Sequence, residues 1–335
     1  MRRFLPDTFT LLLVATVVFA SFLPARGVIA DWLDVLVDIM IGLVFFLHGA
    51  RLSRDVVIAG FLHWRLHLAI LGTTFVLFPV IGLALGLVPE SLLPRSLYLG
   101  LLYLCLLPST IQSSIAFTSM AGGNVPAAVC AASASNIFGM FLTPFLVGLL
   151  FSAGGHGSFS FDALQQILLQ LFAPFVLGQV LQPWIGNWVR ARKALLTPID
   201  RGSILLVVYL AFGKAVLEGI WSNYTVADLA VVVGLDMLIL ALVLTATMYG
   251  SRKLGFSKPD EITITFCGSK KSLASGVPMA NVIFAGQPIG AILLPLMLFH
   301  QIQLMACAVI AQGYARKARR AAAASGAVEP AKVAA

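Results

Sequence analysis

Charged residues are scarce in this sequence. Asp, Glu, Lys and Arg make up only 11% of its 335 residues, whereas soluble domains carry about 25%. Hydrophobic residues make up 59%, and the mean hydropathy is +0.96. The chain also lacks the glycine period of collagen and the charged heptads of a coiled coil, and it is too rich in large apolar residues to be disordered. These absences favour an all-α polytopic membrane protein.

Cysteine and catalytic motifs are equally sparse. The four cysteines lie in apolar segments without Cys or His neighbours at ligand spacing, which excludes a disulfide framework and a zinc site. The chain has no Gly-x-Ser-x-Gly elbow, no Walker loop and no His-Glu-x-x-His motif. We therefore expect no enzyme and no cofactor, although an intramembrane hydrolase built from remote Ser and His residues stays open as an alternative.

Ten apolar runs are long enough to cross a membrane as helices. They cover residues 8–24, 33–50, 66–88, 96–119, 125–151, 163–186, 200–220, 226–249, 260–284 and 288–313. With the N-terminus inside, 17 of the 22 basic residues lie in cytoplasmic segments, two on the other side and three within runs. This asymmetry predicts ten spans, with both termini cytoplasmic.

The net charge of +8 follows from this topology. The basic residues occupy short loops rather than one face with stacking aromatics, so we expect the lipid bilayer and not nucleic acid as a partner. Residues 53–65 are too polar to cross and predict an interfacial helix. A cleaved signal peptide is an alternative interpretation of the N-terminus.

The ten runs divide into two sets of five, which predicts two inverted repeats at residues 1–151 and 152–315. A basic, disordered cytoplasmic tail is predicted at residues 316–335. The fourth run is interrupted at Leu107–Ser109 and the ninth at Cys267–Ser269. Related turns, Gly123–Pro126 and Gly286–Pro288, follow each of them. Matched broken spans in corresponding positions of two halves are typical of a transporter binding site.

The first interruption predicts a substrate or ion site. Pro108 breaks the helical ladder and exposes backbone carbonyls beside a run of polar side chains. That run comprises Ser109, Thr110, Gln112, Ser113 and Ser114, and the fifth span adds Ser133, Ser135 and Asn136, of which Asn136 is the best candidate for a group that faces the ligand. The alternative is that these hydroxyls bond to their own helix and allow close packing.

The second interruption carries Ser269, Lys270, Lys271 and Ser272. Each lysine at mid-span would cost about 2.5–3.5 kcal/mol against lipid, so both are expected to face a cavity, a carboxylate or a substrate. Alternatively, the ninth span begins after Lys271 and both lysines reach the surface.

Other charged residues within the runs leave their roles open. Lys214 and Glu218 are spaced to pair along one helix, and Asp38 and Asp236 are candidate partners or proton sites.

The sequence resembles the bile acid:sodium symporter family, in the branch of solute carrier family 10 member 7 and its bacterial relatives. The likeness runs over nearly the whole chain and is most specific at residues 63–68 (HWRLHL), 108–118 (PSTIQSSIAFT), 136–144 (NIFGMFLTP) and 266–276 (FCGSKKSLASG). It implies ten spans in two inverted five-span repeats, with spans 4 and 9 unwound where they cross. It also implies a panel domain of spans 1, 2, 6 and 7 and a core domain of spans 3–5 and 8–10.

The resemblance implies sodium ions held near the crossover, here at Gln112, Ser113 and Ser114. The pattern departs from the family at three positions: the asparagine of its Ser-Asn pair falls on Ser114, its acidic residue falls on Phe266 and its glutamine falls on Lys270. Losing a carboxylate and gaining an ammonium disfavours a bound cation. We therefore interpret Lys270 as the replacement for a coupling sodium, as a permanent cation or a proton carrier, with an organic anion bound at the crossover.

The sequence therefore favours a secondary active transporter of a small or amphipathic organic anion, working by alternating access. The alternative from the altered sodium pattern is a membrane regulatory protein that transports nothing.

Overall fold

The structure is a computed structural model that describes residues 8–51, 63–153, 161–217, 219, 224–284 and 289–324. It is helical throughout these ranges. The first helices are α1 (Thr8–Phe22), α2 (Val28–Arg51), α3 (Trp64–Leu87), α4 (Arg95–Leu106), α5 (Gln112–Met120) and α6 (Val125–Ala153). They are followed by α7 (Phe161–Ala191), α8 (Lys193–Leu217), α9 (Val226–Lys253), α10 (Lys258–Gly268), α11 (Leu273–Ile283) and α12 (Gly290–Ala324).

Each predicted apolar run coincides with one helix or with a pair of shorter helices. Four helical segments in the described ranges are long and apolar enough by themselves to cross a membrane: Trp64–Leu87, Val125–Phe151, Val226–Lys253 and Gly290–Ala318. The molecule is therefore an all-helical protein with the apolar helices of an integral membrane protein.

The fourth and ninth runs are each split into two helices. Leu107 is extended, with φ −77° and ψ 155°, and ends α4 because a residue that precedes proline is disfavoured in the helical region. The chain becomes helical again at Gln112. In the ninth run, α10 ends at Gly268 and α11 begins after Ser272, whose side chain accepts the N–H of Ser275 as an N-cap. A helix of 11 or 12 residues is about 18 Å long at most, so neither half crosses about 30 Å of hydrocarbon alone.

The helices pack in two groups. Helix α2 lies along α7, α1 packs on α8, and α8 also contacts α2. The broken pairs α4/α5 and α10/α11 pack with α3, α6, α9 and α12. The two groups meet where α8 contacts α11 and α12 and where α7 contacts α6 and α11. Both interruptions therefore lie in the second group.

The predicted disordered tail begins too early. Helix α12 continues to Ala324, nine residues beyond the predicted last ordered residue, because residues 316–324 are Arg, Lys and Ala, which all favour helix. The predicted interfacial helix is described only at residues 63–65, where α3 begins. Glu218 and the turn Gly286–Pro288 lie outside the described residues.

Candidate functional site

The two interruptions meet and are hydrogen-bonded to each other. The backbone N–H of Ser272 donates to the carbonyl oxygen of Pro108 at 2.9 Å. The Ser109 hydroxyl donates to the carbonyl of Cys267 at 2.6 Å, and the Ser114 hydroxyl donates to that of Phe266 at 3.2 Å. Backbone groups released by one break are thus satisfied by the other, which is how irregular backbone is tolerated within a helical membrane protein.

Asn136 of α6 joins both interruptions through its side-chain amide. Its Nδ2 donates to the carbonyl of Ser109 at 2.8 Å, and its Oδ1 accepts from the Ser275 hydroxyl at 2.8 Å. The adjacent Ser135 accepts the backbone N–H of Ser109 at 3.0 Å. Ser135 thus lies in the site together with Asn136, whereas Ser133 is half-buried on the same helix.

The predicted hydroxyl cluster is assembled at the start of α5. Thr110 Oγ1 lies 2.6 Å from Ser113 Oγ and 3.1 Å from Ser114 Oγ, with Ser109 Oγ 3.5 Å from the latter. Ser109 and Ser114 are fully buried. The Gln112 side chain does not join this cluster and is exposed, because its position at the start of α5 points away from the crossing.

Lys271 is fully buried in a cage of backbone oxygens. Its ammonium donates to the carbonyls of Thr74 at 2.9 Å, Cys105 at 2.9 Å and Leu107 at 2.7 Å. It also lies 4.0 Å from the centroid of the Phe78 ring, in range of a cation–π interaction. Lys271 therefore binds α3 and the C-terminal end of α4.

Lys270 is equally buried but is held differently. Its Nζ makes no hydrogen bond to any residue that the structure describes. Its closest recorded contact is with the Phe117 ring of α5, whose centroid is 3.8 Å away. The hydroxyl of the preceding Ser269 is also buried and lies beside the Cys307 thiol. The sequence provided no reason to distinguish the two lysines. In the structure Lys271 has a fully hydrogen-bonded ammonium, whereas the ammonium of Lys270 lacks a hydrogen-bond acceptor among the described residues.

Sequence reasoning missed three side chains that hold this region together. Gln303 of α12 accepts the Lys271 N–H at 2.9 Å and donates to the Lys271 carbonyl at 2.8 Å. The Tyr103 hydroxyl donates to the carbonyl of Gly276 at 2.7 Å, and Ser275 contacts Asn136 as described above. A buried glutamine within an apolar run was the only available signal, and it does not identify its partner.

Lys214 pairs with a residue of a different helix. Its ammonium donates to both carboxylate oxygens of Asp34 on α2, each at 2.9 Å. Both side chains are about half exposed, so the pair contributes little to stability. Helix α2 faces Lys214 because α8 packs against it, which sequence spacing could not indicate.

Asp236 of α9 is a fully buried carboxyl. Neither of its oxygens is hydrogen-bonded to a residue in the described ranges. Val232, Ile239 and Leu240, which share its helix face at i−4, i+3 and i+4, are buried apolar residues. A carboxyl in such surroundings costs free energy in either protonation state, and far more when it is ionised.

We expect Asp236→Leu to raise the melting temperature of the detergent-solubilised protein. Burial of an unbonded polar group costs about 1–3 kcal/mol, and leucine removes that cost with a branched side chain of the same number of heavy atoms. Asp236→Asn keeps an unbonded polar group and is expected to give a smaller rise. Thermal unfolding of the three proteins checks this, and a lower melting temperature for Asp236→Leu would show that the carboxyl has a stabilising partner.

A narrow cleft connects the crossing to the other helix group. Val44, Phe45 and His48 of α2 face Asn136, Met140 and Ser275 across it. No group of three or more His, Cys, Asp or Glu side chains placed to hold a metal ion occurs among the residues described. The chemistry available at the crossing is therefore that of hydroxyls, amides, carbonyls and two ammonium groups.

Comparison with known proteins identifies the family. A family model described as the SBF-like CPA transporter family matches residues 7–316. An uncharacterized protein of Pseudomonas aeruginosa is 57% identical over 96% of this chain and 97% of its own, and "Putative symporter YfeH" of Escherichia coli is 52% identical over 93% of each. "Sodium/bile acid cotransporter 7" of Rattus norvegicus is 27% identical over 81% of both chains. The chain therefore belongs to the SBF-like CPA transporter family, whose members are membrane transporters and not enzymes.

Proposed function

We propose that this protein is a secondary active transporter that carries a small or amphipathic organic anion across the bacterial inner membrane. The observation that carries the proposal is the crossing of two broken helices, with a buried ammonium at Lys270 that receives no hydrogen-bond acceptor from the described part of the chain. Broken helices that meet at mid-membrane are the usual location of substrate and coupling-ion sites in secondary transporters.

The helix packing supports alternating access between two bodies. We assign α1, α2, α7 and α8 to the panel domain of the family and the remaining helices to its core domain, in ten spans formed by two inverted repeats. The cleft between α2 and the Asn136–Ser275 pair lies where these bodies meet. Movement of one body against the other would open this cleft to each side in turn.

Lys270 is the group we assign to substrate charge or coupling. The Lys270 ammonium lies beside the Phe117 ring and near the Cys267 and Cys307 side chains, and no hydrogen-bond acceptor among the described residues reaches it. A buried ammonium in such surroundings is stabilised when an anion binds beside it or when it releases its proton. Its neighbours at the break, Ser269 and the hydroxyls of Thr110 and Ser113, could orient a carboxylate or sulfonate. Coupling to protons through Lys270 follows from this arrangement.

Sodium coupling through Gln112, Ser113 and Ser114 has weaker support. Ser114 already donates to a backbone carbonyl, Gln112 is exposed, and Phe266 supplies no side-chain ligand. A cation at this cluster would also lie near the positive charge of Lys270 without a compensating carboxylate.

We expect Lys270→Gln to lower anion uptake into proteoliposomes at least about tenfold, the effect of losing about 1.4 kcal/mol of binding or coupling. The assay uses a radiolabelled bile acid and a set of simpler organic acids, with imposed sodium or proton gradients. Lys253→Gln, which removes an exposed lysine at the end of α9, is the matched control.

Three outcomes separate the interpretations. The proposal is supported if a proton gradient drives uptake and Lys270→Gln abolishes it. If only a sodium gradient drives uptake and Lys270→Gln has no effect, coupling is assigned to the hydroxyl cluster instead. Anion binding without flux in the wild-type protein would contradict transport and favour the alternative of a membrane regulatory protein.

A further inference from the structure

The cage around Lys271 is built from carbonyl groups that the backbone cannot otherwise satisfy. In α3 the backbone N–H of Phe78 bonds to the carbonyl of Thr73, because residues 73–77 form a wide π-helical turn. The carbonyl of Thr74 would then need the N–H of residue 79, which is proline and has none. The π turn and Pro79 together leave the Thr74 carbonyl free for Lys271.

The second and third carbonyls come from the end of α4. The carbonyl of Cys105 would bond in a continuous helix to the N–H of Ser109, but that N–H donates to Ser135 instead. Residue 108, one position earlier, is proline and has no N–H. Leu107 is extended, so its carbonyl also leaves the helix direction. Helix C-termini carry partial negative charge, which adds to the attraction for a cation.

The position of the ammonium is set from the other side by Gln303. Its amide pairs with both the N–H and the carbonyl of Lys271 at 2.9 and 2.8 Å, and its side chain is fully buried. Such two-point pairing fixes the backbone of residue 271 and directs the side chain into the cage. All three donors of the ammonium are then used by carbonyl oxygens.

We propose that this cage is a monovalent-cation site that the protein fills with its own Lys271 ammonium. Three carbonyl oxygens at 2.7–2.9 Å and one aromatic face are ligands suited to a small monovalent cation or a primary ammonium. The tethered cation joins α3, the α4 break and the α10–α11 break, so this part of the crossing needs no ion from solution. The inference is independent of the transported substrate and of Lys270.

The proposal is tested with Lys271→Ala and externally added cations. Alanine retains Cβ, so n-propylammonium supplies the missing three carbons and the ammonium. In choline we expect the melting temperature to fall by about 5 °C or more. At about 100 mM n-propylammonium we expect at least half of that loss to be recovered, by mass action on the folded state. Ammonium and sodium test whether the cage also accepts a small free cation.

Two variants are matched controls. Lys271→Met keeps the side-chain volume but not the charge, so this variant should have a lowered melting temperature. n-Propylammonium should not raise that temperature, because the methionine side chain leaves no space for the amine. Lys270→Ala should show no response to the amine, because its ammonium has no carbonyl cage. If Lys271→Ala folds only when n-propylammonium is present throughout purification, that result also supports the proposal.

Two results would overturn it. One is a wild-type melting temperature for Lys271→Met, which would mean that the carbonyls do not require a cation. The other is a destabilised or unfolded Lys271→Ala protein that neither n-propylammonium, ammonium nor sodium improves relative to choline.

Discussion

Replacement of Asn136 by leucine is expected to destabilise the protein by about 2–4 kcal/mol and to abolish transport. The change keeps a branched side chain with the same number of heavy atoms but leaves the Ser109 carbonyl and the Ser275 hydroxyl without the partners they have at 2.8 Å, and each buried unsatisfied group costs about 1–3 kcal/mol. Since these two residues belong to different interruptions, the crossing itself loses a connection. Thermal unfolding and proteoliposome uptake measure the two effects.

Ser133→Ala is the matched control for Asn136→Leu. Ser133 lies on the same helix, is half-buried and makes no recorded bond to either interruption among the described residues, so its variant should keep both stability and uptake. Asn136→Asp retains an acceptor for Ser275 but loses the donor to Ser109, and we expect an intermediate melting temperature. Equal stability of Asn136→Leu and the wild-type protein would contradict the bridging role.

Gly49→Ala is expected to lower stability by about 3 kcal/mol or more and to reduce the yield of folded protein. Helices α2 and α7 approach so closely that a Cβ at Gly49 would overlap the backbone carbonyl of Phe175, and a Cβ at Gly178 would overlap that of Phe46. Overpacking against backbone cannot be relieved by a rotamer change, and close helix contacts in membranes depend on small residues. Gly178→Ala should therefore have a similar effect.

Gly42 provides the control on the same helix. A Cβ at this position meets no atom within 4 Å, so Gly42→Ala should be neutral or slightly stabilising because alanine favours helix. Folded yield in detergent and melting temperature distinguish the two substitutions. Similar losses for Gly42→Ala and Gly49→Ala would indicate that the α2–α7 contact is not limiting.

The sequence was most informative where local physical rules dominate. Apolar runs predicted the helical segments, because a helix in lipid must satisfy its own backbone and cover itself with apolar side chains. Pro108 predicted the first interruption, since it removes a donor and makes its neighbour extended. The family was recognised from the polar stretches beside these interruptions, and the family model and its relatives confirm it.

The roles of the two adjacent lysines could not be predicted from their order in the chain. Lys271 meets carbonyls of residues 74, 105 and 107, which are more than 160 positions away, whereas Lys270 rests on Phe117. Backbone conformation at residues 269–272 directs one side chain to each side of the crossing. No periodicity or propensity describes an irregular segment of four residues.

Composition and local pattern thus determined that this protein is helical, apolar and interrupted at two places, because helix formation and its termination depend on neighbouring residues. Only the tertiary structure decided which buried groups are paired. It placed Gln303 on Lys271, Asp34 on Lys214 and Asn136 between the two breaks, and it left Lys270 and Asp236 without partners among the described residues. Hydrogen bonds between distant segments depend on how helices pack, and a single sequence does not encode that packing in any local signal.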